Sequence, residues 1–334
     1  MISLLCVSKS PTLAFTVITR DPSQEVTPLA NDPAGEPAGF PEQVGRDDLR
    51  QPVAETPAGR WVQVGGAFLV WGASVLFLLL IPVIVALPYI AYNWINHGPP
   101  RPEDLASDKT LIFLSIIGIL PTHLLTLGLI WVYVTRSGRR PFSTMPGFGW
   151  PKNMSPWVTT GLAILLAFVL LVIGWAVTQV LGGNKTQLDL LVESSLPSRF
   201  ATAFVAVFTA PLVEELIYRG VLYGALERAA GVGIAIVVVS LLFAGVHVFQ
   251  YSNNLGVITV ITLLSFTLTC ARAYSGSILP PFIIHLVFNG IQALVLALTP
   301  FIDSNLLEKG EKVTPTTPGL EVAGHLISYL CRMT

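Results

Sequence analysis

This sequence predicts an all-α fold: a polytopic membrane helix bundle with about seven transmembrane helices. Three observations carry that expectation. The chain has 334 residues, 52% hydrophobic and 12% charged, with a mean hydropathy of +0.68; a soluble domain carries about a quarter charged residues. About half of the charges fall in residues 1–60 and 303–334, so the middle is poorer still. Several windows there run for about 20 residues almost without charge, the length a helix needs to cross about 30 Å of hydrocarbon. The net charge of −1 gives no sign of nucleic-acid binding. Cys6, Cys270 and Cys331 are far apart and form no CxxC pair, so neither a disulfide framework nor a thiolate metal site is expected.

Residues 1–60 contain about eight prolines, with mixed charge and little periodicity. Such a segment buries too little apolar surface to offset its chain entropy, and it reads as a disordered Pro-rich tail. "MISLLCVSKS" has no basic stretch before its short apolar run, which argues against a signal peptide. Residues 61–302 read as the transmembrane domain and 303–334 as a polar C-terminal tail. Seven spans follow in order: about 64–92, with Pro82 and Pro88 placed to kink or end it; 110–134; 157–181; 200–226; 232–250; 255–273; and 278–300. Trp61, Trp94, Trp131, Trp150 and Trp157 lie near proposed ends, as interfacial tryptophans do. The loop after the second span carries Arg136, Arg139, Arg140 and Lys152, which sets it and the N-terminus on the cytoplasmic side. Arg60, Arg228 and Arg272 fall on the same side.

The fourth span contains "VFTAPLVEELIYRG", with Glu214, Glu215 and Arg219 in apolar surroundings. One charge at the centre of a membrane helix costs roughly 2.5–3.5 kcal/mol on insertion scales, and such residues usually face the bundle interior. Adjacent helical residues point about 100° apart, so Glu214 and Glu215 cannot share a face. Glu215 and Arg219 are spaced i,i+4 with the acid first, the favourable order for an ion pair. That leaves Glu214 without a partner on its own helix, as suits a general base. Pro211, three residues earlier, lacks a backbone donor and frees the Val207 carbonyl, so a local kink there would open space beside Glu214. The fifth span adds "FAGVH", with Phe243 and His247 on one face. The seventh adds "HLVFN", with His285 and Asn289 on one face.

One carboxylate, two imidazoles and one amide suffice for a hydrolytic site. Glu and His can polarise a water, directly or through a metal, while His and Asn can donate to an oxyanion. Two His and one Glu also match a catalytic zinc ligand set, with Glu214, His247 and His285 as its members. Each residue alone has a plainer reading. A lone His or Asn in a membrane helix is usually an interhelical hydrogen-bond partner, and His123 in the second span is assigned to that class. Glu215 and Arg219 alone would be structural. The ordered combination lifts the functional reading.

At these residues the sequence resembles the CPBP family, the CAAX prenyl proteases and their bacterial relatives, also called Abi proteins. The family's EExxxR, FxxxH and HxxxN motifs stand here as Glu214-Glu215 to Arg219, Phe243 to His247 and His285 to Asn289, within roughly residues 157–299. The resemblance implies an intramembrane endopeptidase. It implies that Glu214 and His247 activate the attacking water, that His285 and Asn289 steady the oxyanion, and that Glu215 and Arg219 support the site. It leaves open a metalloendopeptidase with one divalent metal such as zinc or a metal-free glutamate endopeptidase; there is no HExxH zincin motif. The expected partners are membrane lipid and a peptide or membrane-protein substrate, with no separate sign of prenyl recognition.

Two readings of other classes stand beside it. A transporter or proton relay would need a polar route through both halves of the membrane, and the first and third spans are almost free of ionisable groups. A non-catalytic scaffold or immunity protein would keep the fold without the chemistry. One geometric demand tests all three. On straight helices, Glu214, His247 and His285 spread over roughly 10 Å in depth. A hydrolytic site therefore requires bends, for which Pro211, Gly245 and Pro280-Pro281 are the expected places.

Overall fold

The computed structural model describes residues 56–182, 186–251 and 254–307. The expected tail before residue 56 and the polar tail after 307, with Cys6 and Cys331, lie outside the described residues. Among the described residues, six helices are long and apolar enough to cross a membrane, and Val232–Val248 adds a shorter apolar helix. The protein is an integral, multi-pass helical membrane protein, and the apolar segments fall where the charge-poor windows placed them.

The first helix, α1 (Pro57–His97), starts where Thr56 accepts from the Gly59 N–H and proline occupies the first helical position. It continues through Pro82 and Pro88, which do not end it, and stops at Gly98. Pro57 to Arg60, expected in the tail, belong to this helix. A short α2 (Pro102–Ser107) leads to α3 (Lys109–Ile117), capped by the Asp108 carboxylate, and to α4 (Ile119–Thr135). Together α3 and α4 make the second crossing. Next come α5 (Pro156–Leu181) and two short helices, α6 (Gln187–Ser194) and α7 (Leu196–Phe204). The segment from α7 to Ala230 is one long crossing, but its ladder is not uniform. A π-helical turn spans Val205–Thr209, α8 covers Ala210–Glu215, a second π-helical turn spans Leu216–Leu222, and α9 covers Tyr223–Ala230. The bundle closes with α10 (Val232–Tyr251), α11 (Leu255–Ser275) and α12 (Leu279–Leu307).

Two apolar clusters hold these helices. One joins α1, α4 and the long crossing to α10 through Ala67, Ile130, Leu222, Val239 and Phe243. The other joins α5, α11 and α12 through Ala167, Leu268 and Ile284. The tryptophans named above all stay substantially exposed on the bundle surface, consistent with interfacial anchoring.

The basic loop between α4 and α5 is folded under one end of the bundle. Met145 is buried there, and a Cβ on Gly220 would stand 2.7 Å from its sulfur. Gly147 has φ +79°, and a Cβ at that position would stand 2.6 Å from the Arg272 Cζ. Its carbonyl accepts from the Ile278 N–H. Glycine at 220 and 147 is what lets the loop lie this close. Arg272, placed at the membrane face by its charge, is 3% exposed and stacks over the Tyr223 ring at 4.9 Å.

Candidate active site

A cavity of about 420 Å³ reaches inward from the end of the bundle opposite the basic loop. Glu214, His247, His285 and Asn289 all line it, and so does His123. Glu215 and Arg219 do not. They lie behind Glu214, 1% and 0% exposed.

The i,i+4 pair is present: Arg219 Nη1 donates to Glu215 Oε1 at 2.9 Å. Arg219 Nη2 also donates to the Ser265 carbonyl at 3.1 Å and to Ser265 Oγ at 3.2 Å, which ties this helix to α11. The guanidinium packs on the Phe243 ring, 4.7 Å from its centroid. Glu215 Oε2 and Arg219 Nε have no hydrogen-bond partner. A charge pair buried this deeply gains little from burial itself, and it would be strongly destabilising to break.

Glu215 does more than pair with arginine. His285 Nδ1 lies 2.8 Å from the same Oε1. Because Glu215 is matched with Arg219, its oxygen accepts and His285 Nδ1–H donates. The ring is thereby fixed with Nε2 toward Glu214, whose Oε2 is 3.6 Å away. That distance is long for a hydrogen bond and short for a charge contact. Glu214 keeps 24% of its side chain exposed to the cavity. His247 is fixed in a similar way: its Nδ1 is 2.7 Å from the Phe243 carbonyl, an oxygen that can only accept, so Nε2 is left as an acceptor. The Phe243 ring lies 4.8 Å from the His247 ring and 5.9 Å from the His285 ring, which explains a phenylalanine four residues before His247.

The interruptions of regular α winding lie beside Glu214, on its own crossing. Helix α10 runs through Gly245, and Pro280 and Pro281 sit in the first turn of α12. The two π-helical turns on either side of α8 change the helix phase instead. In the first, the Ala210 N–H donates to the Val205 carbonyl, five residues back, and Pro211 has no N–H to offer. The Ala206 carbonyl loses both of its backbone donors, and Asn289 Nδ2 donates to it at 3.0 Å. A carbonyl is thus left open beside Glu214, and the one that Asn289 meets is that of Ala206. Sequence reasoning also missed Thr209 and Ser265, which carry no signal outside the fold.

Among the described residues, no three His, Cys, Asp or Glu side chains come together in a way that could hold a metal ion. The Glu214, His247 and His285 set considered for zinc does not fit a ligand shell as arranged, and no step below passes through a metal.

Comparison with known proteins falls on this segment. Residues 196–291 match the family model described as Type II CAAX prenyl endopeptidase Rce1-like. The "Membrane-embedded CAAX protease MroQ" of Staphylococcus aureus (strain USA300) is 27% identical over 159 residues, covering 45% of this chain and 61% of that protein. An "Uncharacterized 24.3 kDa protein" of Escherichia coli is 27% identical over 183 residues, covering 54% of this chain and 78% of that protein. No solved structure matches the chain. The family likeness carried by the three motifs is shown by the family model and by the named relative. The chain spans about three fifths of the length of that named relative.

Proposed function

We propose that this chain, similar to the CAAX proteases over residues 196–291, hydrolyses a peptide bond at or within the bilayer with a glutamate-activated water. The observation that carries the reading is the pairing of Glu214 with a His285 that Glu215 holds in one orientation. Glu214 takes a proton from the water as its oxygen adds to the peptide carbonyl carbon. His247, with Nε2 free to accept, shares that water. The oxyanion that forms is met by His285 Nε2–H, whose imidazolium charge it neutralises, and by the second N–H of Asn289. The C–N bond then breaks, and the proton held by Glu214 passes to the leaving amine. A positioned general base contributes about 10²–10⁴-fold.

The one-sided cavity favours this reading over a proton relay. On the other side of Arg219 the cavity lining gives way to Tyr223 and the buried Met145, and the polar groups there are bonded in place: Arg272 Nε donates to the Arg219 carbonyl and the Tyr223 hydroxyl to Glu227 Oε1. In the orientation set by Arg136, Arg139 and Arg140, the cavity opens away from the cytoplasm.

Profiling of protein N-termini in membranes from cells expressing either the wild type or Glu214→Gln tests the chemistry. A set of termini is expected to fall by about 10²–10⁴-fold in the variant. Identical profiles at equal expression would end the protease reading. Orientation is tested by a membrane-impermeant maleimide on intact cells. Gln250→Cys, at the cavity, should label, and Arg139→Cys should label only after permeabilisation. The reverse pattern would place the site on the cytoplasmic side.

A further inference from the structure

His123 comes from α4, outside the segment shared with the family model and outside the three motifs. Its interhelical bond exists: Nδ1 is 2.8 Å from Thr209 Oγ1, at the end of the first π-helical turn. Thr209 Oγ1 in turn donates to the Val205 carbonyl at 3.2 Å. A hydroxyl has one proton, and the carbonyl can only accept it. His123 Nδ1 therefore carries the hydrogen of the shorter bond, and Nε2 is left as a bare acceptor. The residue is half-buried and lines the same cavity as Glu214.

A peptide entering this cavity brings backbone N–H groups that cost free energy if they go unpaired in an apolar setting. Several of the polar groups on the same side of the cavity are already committed. Ser74 Oγ donates to the Trp71 carbonyl, Thr122 Oγ1 to the Gly118 carbonyl and Thr202 Oγ1 to the Ser198 carbonyl. Glu214, His247, His285 and Asn289 are occupied by the water and the oxyanion. Resting on the protease reading above, we propose that His123 is a substrate-binding residue whose Nε2 accepts a hydrogen bond from a backbone N–H of the bound peptide. Thr209 is then the positioning residue that fixes the ring, and the first π-helical turn connects the peptide's binding wall to Asn289.

The test uses the full chain carrying Glu214→Gln in lipid nanodiscs, so that peptide binding is read without turnover. The probe is a fluorescent apolar tetrapeptide amide, with counterparts each methylated at one backbone nitrogen; binding is followed by anisotropy against empty nanodiscs. Methylation of one nitrogen should weaken binding about tenfold, the scale of one hydrogen bond. The same methylation should have no effect once His123→Asn is added, because asparagine keeps a donor toward Thr209 and lacks Nε2. An equal methylation penalty in both backgrounds, no penalty at any nitrogen, or no binding above empty nanodiscs would overturn the proposal. Long-range proton–nitrogen spectra of labelled histidine give a reading on protein without His123→Asn. An Nδ1–H tautomer at His123 is expected, and an Nε2–H tautomer would overturn it. Because neither measurement involves cleavage, the N-terminal profiling can fail while peptide binding at His123 succeeds, and the reverse.

Discussion

The two π-helical turns flanking α8 use the same device in opposite surroundings. In each, the ladder shifts by one residue and a backbone carbonyl is released, and a side chain from a later helix catches it. At the first turn the carbonyl belongs to Ala206 and the donor is Asn289. At the second, the Tyr223 N–H turns to the Tyr218 carbonyl, and Arg272 Nε donates to the Arg219 carbonyl at 3.1 Å. The first turn borders the cavity, and only Val205 of its residues is buried. The second turn is buried at every residue and reaches the cavity wall only through Ile217 and Tyr218. The difference shows how one crossing can hold a reactive carboxylate. The closed turn holds the helix in place, and the open turn leaves its polar groups free to meet a ligand.

Substitutions at the closed turn should therefore be read in stability, and those at the open turn in activity. The largest effect is expected at Arg219→Met. It leaves Glu215 buried with His285 alone, and loss of one partner of a buried pair costs about 3–5 kcal/mol. Thermal unfolding in detergent checks this, and a loss under about 1 kcal/mol would show that packing alone secures the closed turn. Next is Asn289→Ala. Cleavage of a reporter found by N-terminal profiling should fall by about 10²–10³-fold, as for a lost oxyanion donor. The melting temperature should barely move, since the Ala206 carbonyl borders a cavity that water can enter. A large melting shift with little loss of cleavage would reverse the contrast between the turns. The smallest effect belongs to Arg272→Met, which strands a buried carbonyl at a cost of about 1–3 kcal/mol. Its cleavage rate per folded molecule should stay within a few-fold of wild type, and a far larger drop would connect the closed turn directly to the chemistry.

Much of this architecture was legible in the sequence. Charge-poor windows located each apolar crossing, because hydrocarbon admits so few charges that their absence marks the span. The Glu215–Arg219 pair followed from helical spacing. What escaped is what depends on phase and distance between helices. A π-helical turn costs one residue and leaves no compositional mark, so Pro211 could be read only as a generic kink. The contact of His285 with Glu215 joins helices 70 residues apart. Arg272 looked like an interfacial charge because sequence does not show that the Gly147 loop covers it. His123 was assigned to helix contact, and that contact exists, but the cavity beside it becomes visible only when α4 is packed against α8. The short helix α6 has no apolar run of its own to announce it.

The turn at Val205–Thr209 also bears on insertions and deletions. A helix that already accommodates one surplus residue is a place where chain length and side-chain direction are traded against each other. Removing a single residue between Phe204 and Ala210 would let the segment wind as a regular α-helix with both flanks near their present directions, because the π-turn is what takes up the surplus residue. One further residue that the turn did not absorb would instead rotate everything upstream by about 100° relative to Glu214, and the carboxylate would lose the wall it faces. This stretch of the crossing should thus tolerate the loss of a residue better than the gain of one.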